Sequence, residues 1–262
     1  MDFHELDVFI NLHKKDAAVL PLCIRSVFRY LVPRPNRVTI VSNELPSSLL
    51  GEIGRYKIGF MNESSVIDEL RRSDMPQIVY EGENRAGWYY QQFLKWGVRK
   101  YSKTDSYVTV DADVVFIRPI ILVRHNKYVF HRRDEYHVPY FKTYEKLFSY
   151  FPERDKSYIA NYMVFDVSII DEIIARIEKL CVGKKWYEIV LDTIDKTELS
   201  SFSEFETYGH YMSRFYPYLF ESCDCRNLVL PKERIPLHRI DRVIAKLKGF
   251  NSVVYHNYDR RE

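Results

Sequence analysis

Two carboxylates, Asp111 and Asp113, lie one residue apart inside the apolar segment "YVTVDADVVFIRP". Side chains two positions apart on an extended backbone point the same way, so both are predicted to face one cleft. Two like charges so close repel each other unless a cation lies between them. Mn²⁺ or Mg²⁺ suits carboxylate oxygens and keeps coordination positions for phosphate oxygens. The alternative is a solvated strand cap, but a solvated turn is not normally enclosed by valines, so the sequence predicts a metal and phosphate site.

The surrounding sequence predicts the elements that position this pair. Apolar runs of strand composition alternate with segments of helical periodicity, which indicates one α/β domain with a mostly parallel twisted sheet flanked by helices. In such sheets, ligands bind beyond the carboxyl ends of the strands, where the two aspartates are predicted to lie. The predicted strands cover residues 6–12, 37–42, 77–81, 107–110, 127–133, 161–167 and 252–256. The predicted helices cover residues 16–30, 85–102, 138–150, 169–180, 203–215 and 236–248.

The last predicted helix is amphipathic, and Gly249 is suited to end it. Its apolar face consists of Ile240, Val243, Ile244 and Leu247. The last 32 residues hold eight Lys or Arg against four Asp or Glu, a local net charge of +4 in a chain of net charge +3. This skew predicts a solvated basic face, and a weak peripheral contact with a membrane stays open.

Composition excludes several classes of function. Glycine is scarce, with 9 residues, and neither G-x-G-x-x-G nor the P-loop pattern occurs, so any phosphate must be held by other means. The small net charge and scattered basic residues predict no nucleic-acid partner. No segment approaches the roughly 18 apolar residues that span a bilayer, and no signal-peptide pattern is found at the start. The four cysteines form no disulfide or zinc framework, which favours free thiols and a cytoplasmic location.

The segment "VTVDADVVFIRP" resembles the D-x-D segment of GT-A-type nucleotide-sugar glycosyltransferases. Three further segments resemble the small members of that family from bacterial polysaccharide loci and large algal viruses. They are "DVFINLHKKD", "GWYYQQFLKW" and "SEFETYGHY", in that order along nearly the whole chain. The resemblance implies a single GT-A-like domain over residues 1–262, with a nucleotide-binding half (1–120) and an acceptor or sugar half (121–262).

The resemblance also implies an activity. It implies transfer of a sugar from a nucleotide-diphosphate donor, most often a UDP-sugar, to a hydroxyl of a glycan or glycoconjugate acceptor. Asp111 and Asp113 would hold Mn²⁺ (or Mg²⁺), which would neutralise the charge that develops on the leaving diphosphate. Through that metal, Asp113 is a candidate catalytic residue as well as a ligand.

The loop after the first strand lies against the nucleotide in the resembled fold. Lys14, Lys15 and Asp16 are therefore candidate donor contacts, although Asp16 is equally suited to cap the following helix. Asn43, just beyond the second strand, has the same two interpretations.

The helix within 85–102 presents a polar stripe of Gln91, Gln92 and Lys95 among aromatic residues. A polar stripe is usually a solvent face, but here the aromatic surroundings predict burial. A buried lysine needs an anionic partner, which a diphosphate or a carboxylate would supply. The resemblance places this helix beside the donor, so all three residues are candidate donor contacts.

Three later residues complete the candidate site. Ser203 and Glu206 form a predicted capping box, which leaves Glu204 as the candidate general base if the enzyme inverts the anomeric centre, or a sugar or acceptor contact if it retains it. Asn161 begins a predicted strand, and the resemblance implies a donor contact there. His256 ends the last predicted strand, where GT-A enzymes often supply a third metal ligand. Its main competitor is His210.

The sequence thus predicts a metal-dependent glycosyltransferase. One alternative is a metal-dependent phosphoester hydrolase, although hydrolases that use D-x-D as nucleophile and acid usually continue with Thr near the chain start, whereas Val114 follows here, in mid-chain. A second alternative is a non-catalytic sugar- or nucleotide-binding module, which would have no use for both aspartates.

Overall fold

The computed structural model describes residues 6–133, 136–152 and 157–256. The strands are β1 (Leu6–Asn11), β2 (Leu31–Val32), β3 (Pro35–Ser42), β4 (Ile58–Asn62), β5 (Val79–Tyr80), β6 (Glu83–Asn84), β7 (Ser106–Asp111), β8 (Val114–Phe116), β9 (Ile120–Ile121), β10 (Val123–Arg124), β11 (Lys127–Arg132), β12 (Tyr162–Asp166), β13 (Phe220–Asp224), β14 (Asn227–Leu230) and β15 (Ser252–Tyr255). The α-helices are α1 (Leu20–Tyr30), α2 (Leu50–Ile53), α3 (Ala86–Gly97), α4 (Val138–Phe148), α5 (Val167–Glu178), α6 (Trp186–Thr193), α7 (Glu204–Phe215) and α8 (His238–Leu247).

The central sheet has five strands in the order β12-β7-β1-β3-β4. β7, β1, β3 and β4 are parallel, and β12 joins the edge of β7 in the antiparallel direction. All six residues of β1 are buried, as expected for a central strand covered on both faces. The predicted α/β class with a mostly parallel sheet flanked by helices is therefore confirmed.

Two three-stranded sheets extend this framework. One has the order β10-β11-β13, and the other has the order β14-β15-β8. In the second sheet, β15 pairs in the antiparallel direction with β8, the strand that directly follows Asp113. Residues 252–255 are thereby brought next to the paired aspartates.

Some element predictions were wrong. The segment 77–81 does not join the central sheet, because Val79–Tyr80 forms only a small hairpin with Glu83–Asn84. The fourth parallel strand is instead Ile58–Asn62, a partly exposed edge strand whose Gly59 and Asn62 obscure the strand pattern. The helix predicted from residue 16 begins at Leu20, because Lys14–Asp16 forms a short 3₁₀ turn. Trp186–Thr193 is a helix that the sequence did not indicate.

Within the described residues, no helix is both long enough and apolar enough to cross a membrane. All four cysteines are free, as the sequence predicted.

Candidate active site

The Asp111–Asp113 turn lies at the carboxyl end of β7, as predicted. Asp111 is level with Asn11, the last residue of β1, which in turn is level with Val41 near the end of β3. Backbone hydrogen bonds fix the turn from both sides. The Asp111 N–H donates to the Asn161 carbonyl (2.9 Å), and the Tyr255 N–H donates to the Asp113 carbonyl (3.0 Å).

A buried lysine holds the first carboxylate. Lys95 Nζ, on α3, lies 2.8 Å from Asp111 Oδ1 and 2.7 Å from Glu204 Oε1 on α7. Glu204 is fully buried, and Lys95 is nearly so. Burial alone would lower the pKa of Lys95, but the carboxylates of Asp111 and Glu204 outweigh it and raise that pKa. This ammonium group is therefore a fixed cation that bridges two acidic side chains.

The Glu204 side chain is more deeply buried than we expect of a general base that takes a proton from the acceptor. Burial raises the pKa of its carboxyl, against the opposing effect of Lys95. Its Oε1 lies 2.7 Å from Lys95 Nζ, and its Oε2 has no hydrogen-bond partner among the described residues. A general base must reach the acceptor hydroxyl, and the Glu204 carboxylate has no exposed surface in this arrangement.

Asn161 holds the other oxygen of Asp111. Its Nδ2 donates to Asp111 Oδ2 (3.3 Å), while its Oδ1 accepts hydrogen bonds from Arg133 (2.5 Å) and Asn227 (3.3 Å). Asn161 has a left-handed backbone (φ 61°), a conformation that asparagine tolerates better than most residues. Both oxygens of Asp111 are thus engaged by protein groups.

Asp113 differs from Asp111. Its Oδ2 lies 2.7 Å from His256 Nδ1, but its Oδ1 is buried without a hydrogen-bond partner among the described residues. Burial raises the pKa of Asp113; the His256 contact opposes this shift, while the charges of Asp111 and Asp16 add to it. A positive group beside this oxygen would therefore stabilise the charged form of the Asp113 carboxylate.

The donor set fits a hard divalent cation. Two carboxylates and an imidazole are acceptable ligands for Mn²⁺, and the orphaned Asp113 Oδ1 supplies a free oxygen. Over the described ranges, no three His, Cys, Asp or Glu side chains already converge as a metal site. Asp113 and His256 contact each other directly, whereas Asp111 is directed to Lys95 and Asn161.

A cavity of about 650 Å³ opens at the same edge of the sheet, within the size range of small-molecule sites. It lies beyond the ends of β1 and β3, and we call it the strand-end cavity. Lys14 and Asn43 line it, together with Arg72 and Glu63, which form an ion pair with each other (2.8 Å). The Asp111–Asp113 turn, which we call the acidic turn, ends the adjacent strand β7 and does not line this cavity.

The remaining predicted residues have other surroundings. Asp16 is buried and forms an ion pair with Lys232 (2.5 Å), a residue that also donates to the Lys15 carbonyl (3.0 Å). The Lys15 side chain is exposed. The Gln91 carbonyl accepts a hydrogen bond from Asn11, and Gln92 Nε2 donates to the carbonyl one turn earlier in α3.

The capping prediction on α7 holds in part. Ser203 caps the helix, because its hydroxyl accepts a hydrogen bond from the Glu206 N–H (3.3 Å). The second bond of a capping box, from the Ser203 N–H to the Glu206 carboxylate, is not formed. That carboxylate accepts from the Tyr158 N–H (3.0 Å) and lies 3.2 Å from His210 Nε2. His210 is thus engaged with its own helix.

The structure therefore brings six of the predicted residues together around the turn. They are Lys95, Asp111, Asp113, Asn161, Glu204 and His256. Sequence reasoning missed Arg133, Asn227 and Lys232, because each is an ordinary polar residue without a motif. The basic skew at the end of the chain was the one available signal for Lys232.

This chain resembles three solved structures, and the first of them supports the fold. The apo crystal structure of mouse xyloside xylosyltransferase 1 matches with a TM-score of 0.51 and 14% identity, over 98% of this chain and 99% of that chain. The apo structure of the bifunctional glycosyltransferase WbbM has a TM-score of 0.49 and 12% identity, over 98% and 47% of the two chains. The galactosyltransferase LgtC, in complex with donor and acceptor sugar analogs, has a TM-score of 0.45 and 13% identity, over 96% and 87%.

A search of curated proteins finds no match. A family model does match, over residues 26–228, which is most of the chain. The protein therefore belongs to DUF6492, a family of unknown function.

Proposed function

We propose that this protein is a metal-dependent glycosyltransferase, which moves a sugar from a nucleotide-diphosphate donor, a UDP-sugar by preference, to a hydroxyl of a glycan acceptor. The observation that supports it most is the Asp111–Asp113 turn, because it presents one fully engaged and one incompletely partnered carboxylate at the carboxyl end of β7. Carboxylates at the ends of parallel strands are placed where α/β proteins bind ligands. The fold shared with a xylosyltransferase agrees with the proposal.

In this proposal, Asp111, Asp113 and His256 hold Mn²⁺ or Mg²⁺. The ion, when bound, neutralises the negative charge that develops on the leaving diphosphate. Lys95 and Asn161 orient the Asp111 carboxylate, each through one of its oxygens. Lys14 and Asn43 line the strand-end cavity and contact the nucleoside part of the donor.

We assign Glu204 to a positioning role. Its burial and its 2.7 Å contact with Lys95 suit a residue that fixes the lysine, and through it Asp111, rather than one that removes a proton from the acceptor. A retaining mechanism requires no separate base and agrees with this assignment. The Glu204→Gln variant would then lose Mn²⁺ affinity together with activity, whereas loss of a base would reduce transfer with metal and donor binding unchanged.

The test is an incubation of the purified chain with MnCl₂ and a panel of UDP-, GDP- and CMP-sugars, with detection of free nucleotide. We expect release of nucleotide from one donor class, its loss with EDTA, and its loss in Asp113→Asn. Thermal shift gives an independent readout, because a ligand at about 100 times its Kd adds roughly 2.7 kcal/mol of stability. For a chain of this size that corresponds to a rise in Tm of roughly 5–10 °C.

Two outcomes would contradict the proposal. Metal-dependent cleavage of simple phosphate esters without preference for a nucleotide-sugar would indicate a hydrolase. Metal-supported nucleotide binding with no turnover in the presence of any glycan acceptor would indicate a binding module.

A further inference from the structure

The helix α8 exposes its apolar face to solvent. Leu247 is 84% exposed, Ile240 is 55% exposed and Val243 is 54% exposed. Ile244 belongs to the same face, and the exposed Leu237 extends it by one turn at the N-terminal end. These residues recur at helical spacing, so they form one continuous stripe, which we call the α8 stripe. Such a stripe normally packs on the core, but here it does not.

The opposite side of α8 attaches it to the protein. Asp241 and Ala245, one turn apart, are the buried residues of the helix. Asp241 pairs with Arg234 (3.1 Å) and accepts a hydrogen bond from the Tyr255 hydroxyl (3.3 Å). His238 Nδ1 lies 3.1 Å from that same hydroxyl. These polar contacts therefore attach the helix to Arg234 and Tyr255. The α8 stripe takes no part in them.

The charged side chains on the solvent-facing part of α8 are all positive. Arg239, Arg242 and Lys246 follow one another at helical spacing along one flank of the stripe, and the exposed Lys248 follows the helix. The single acidic residue of α8 is Asp241, which is buried and neutralised by Arg234. The exposed surface of this helix is thus apolar in the middle and cationic at its margin.

We infer that α8 lies on the surface of an anionic lipid membrane, with the α8 stripe in the boundary between headgroups and acyl chains and its cations against anionic headgroups. A helix with a strongly apolar face, a basic polar face and no capacity to span is the pattern of an interfacial helix. An antiparallel symmetric contact between two copies through α8 is disfavoured, because it would place the same cations against each other.

The inference is independent of the proposed function, but it has a structural consequence for the site. α8 ends a few residues before β15, and β15 ends beside His256, which contacts Asp113. A membrane under α8 would therefore be connected to the acidic turn through one short strand.

Co-sedimentation of the full chain with vesicles tests the inference. The vesicles are of phosphatidylcholine alone or with about 30 mol% phosphatidylserine. We expect the protein to bind the anionic vesicles, and added salt to weaken binding. Ile240→Ser/Leu247→Ser should reduce partitioning about tenfold or more, because both side chains lose their apolar surface. Arg239→Gln/Lys246→Gln should reduce it roughly 25-fold, at roughly fivefold for each cation.

Matched control variants distinguish binding through the α8 stripe from non-specific binding to vesicles. Val182 is 96% exposed in the segment between α5 and α6, so Val182→Ser removes an apolar group of similar exposure. Lys179→Gln/Lys196→Gln removes two exposed cations elsewhere. All four residues of the α8 variants have side chains in contact with solvent, and unchanged Tm would verify that they fold.

Three results would overturn the inference. One is no sedimentation with anionic vesicles, and another is α8 variants that bind as well as the matched controls. The third is a concentration-dependent dimer that the same α8 variants abolish while vesicle binding is absent, since it would identify a second copy as the occupant of the α8 stripe.

Discussion

Replacing Lys95 with methionine should destabilise the protein strongly, because Lys95 is the cation shared by Asp111 and Glu204. Its Nζ lies 2.8 Å from one carboxylate and 2.7 Å from the other, and Glu204 is fully buried. Removal of one partner from a buried ion pair typically costs about 3–5 kcal/mol, because a charge is left without compensation. At about 2–4 °C per kcal/mol for a chain of this size, Tm should fall by roughly 6–20 °C.

The destabilisation should depend on pH with a defined sign. Burial already raises the pKa of Glu204, and the loss of Lys95 would raise it further. A carboxyl whose pKa is higher in the folded state holds a proton that the unfolded chain releases. Stability is therefore lost as pH rises above the ordinary pKa of glutamate, about 4.3. The deficit of Lys95→Met relative to wild type should grow between pH 5 and pH 8.

The double variant Lys95→Met/Glu204→Gln isolates the cause. Removing the unpaired charge should restore a large part of the lost stability, so the two changes should be non-additive by about 1–3 kcal/mol. Thermal and urea unfolding followed by circular dichroism would measure all variants. Lys184→Met is the matched control, because Lys184 contacts Asp192 at 2.6 Å on the exposed surface and should leave Tm almost unchanged. If Lys95→Met matches that control, or the double variant is no more stable than Lys95→Met, the ion-pair interpretation is wrong.

The other predictions concern the acidic turn and one buried histidine. Asp113→Asn should abolish Mn²⁺ binding in calorimetry while Tm stays equal or rises, because repulsion from Asp111 is relieved; a lower Tm with intact Mn²⁺ binding would contradict it. His256→Ala should weaken Mn²⁺-supported UDP binding about as much as Asp113→Asn, and full affinity would remove it from the site. Burial lowers the pKa of His131 to about 4, so the protein should lose roughly 3 kcal/mol as pH falls from about 6.5 to 4. His131→Phe should flatten that part of the pH–Tm curve, and a curve identical to wild type would refute the assignment.

The sequence predicted the central sheet well where strands are buried on both faces. β1 and β7 are short segments rich in strand-forming residues and mostly buried, and such segments are recognisable without knowledge of their neighbours. The edge strand β4 was missed because a half-exposed strand needs few apolar residues. Its pairing with β3 depends on the three-dimensional fold and is not visible in the local sequence. The same limit applies to β13 and β14, which are only partly buried.

The candidate site was predicted residue by residue but not as an arrangement. The aromatic surroundings of Lys95 correctly indicated burial and the need for an anionic partner. The identity of the partners did not follow, since Asp111 and Glu204 lie on elements that only the fold brings together. The apolar face of α8 was predicted correctly as a pattern, but periodicity alone does not distinguish a face that packs on the core from one that remains exposed.

The inequality of the two aspartates is the strongest physical argument for a cation at the turn. If the pair were only a strand cap, both carboxylates would be expected to find donors, as buried polar groups almost always do. Asp111 meets this expectation through Lys95 and Asn161, whereas Asp113 keeps a buried oxygen without a donor among the described residues. An unsatisfied buried acceptor costs about 1–3 kcal/mol, more when it is charged. Asn11, at the end of the adjacent strand β1, also has a buried oxygen without a hydrogen-bond partner in the described part of the chain. A bound cation would supply the partner that the Asp113 oxygen lacks, and a group of its ligand would supply a donor for the Asn11 oxygen.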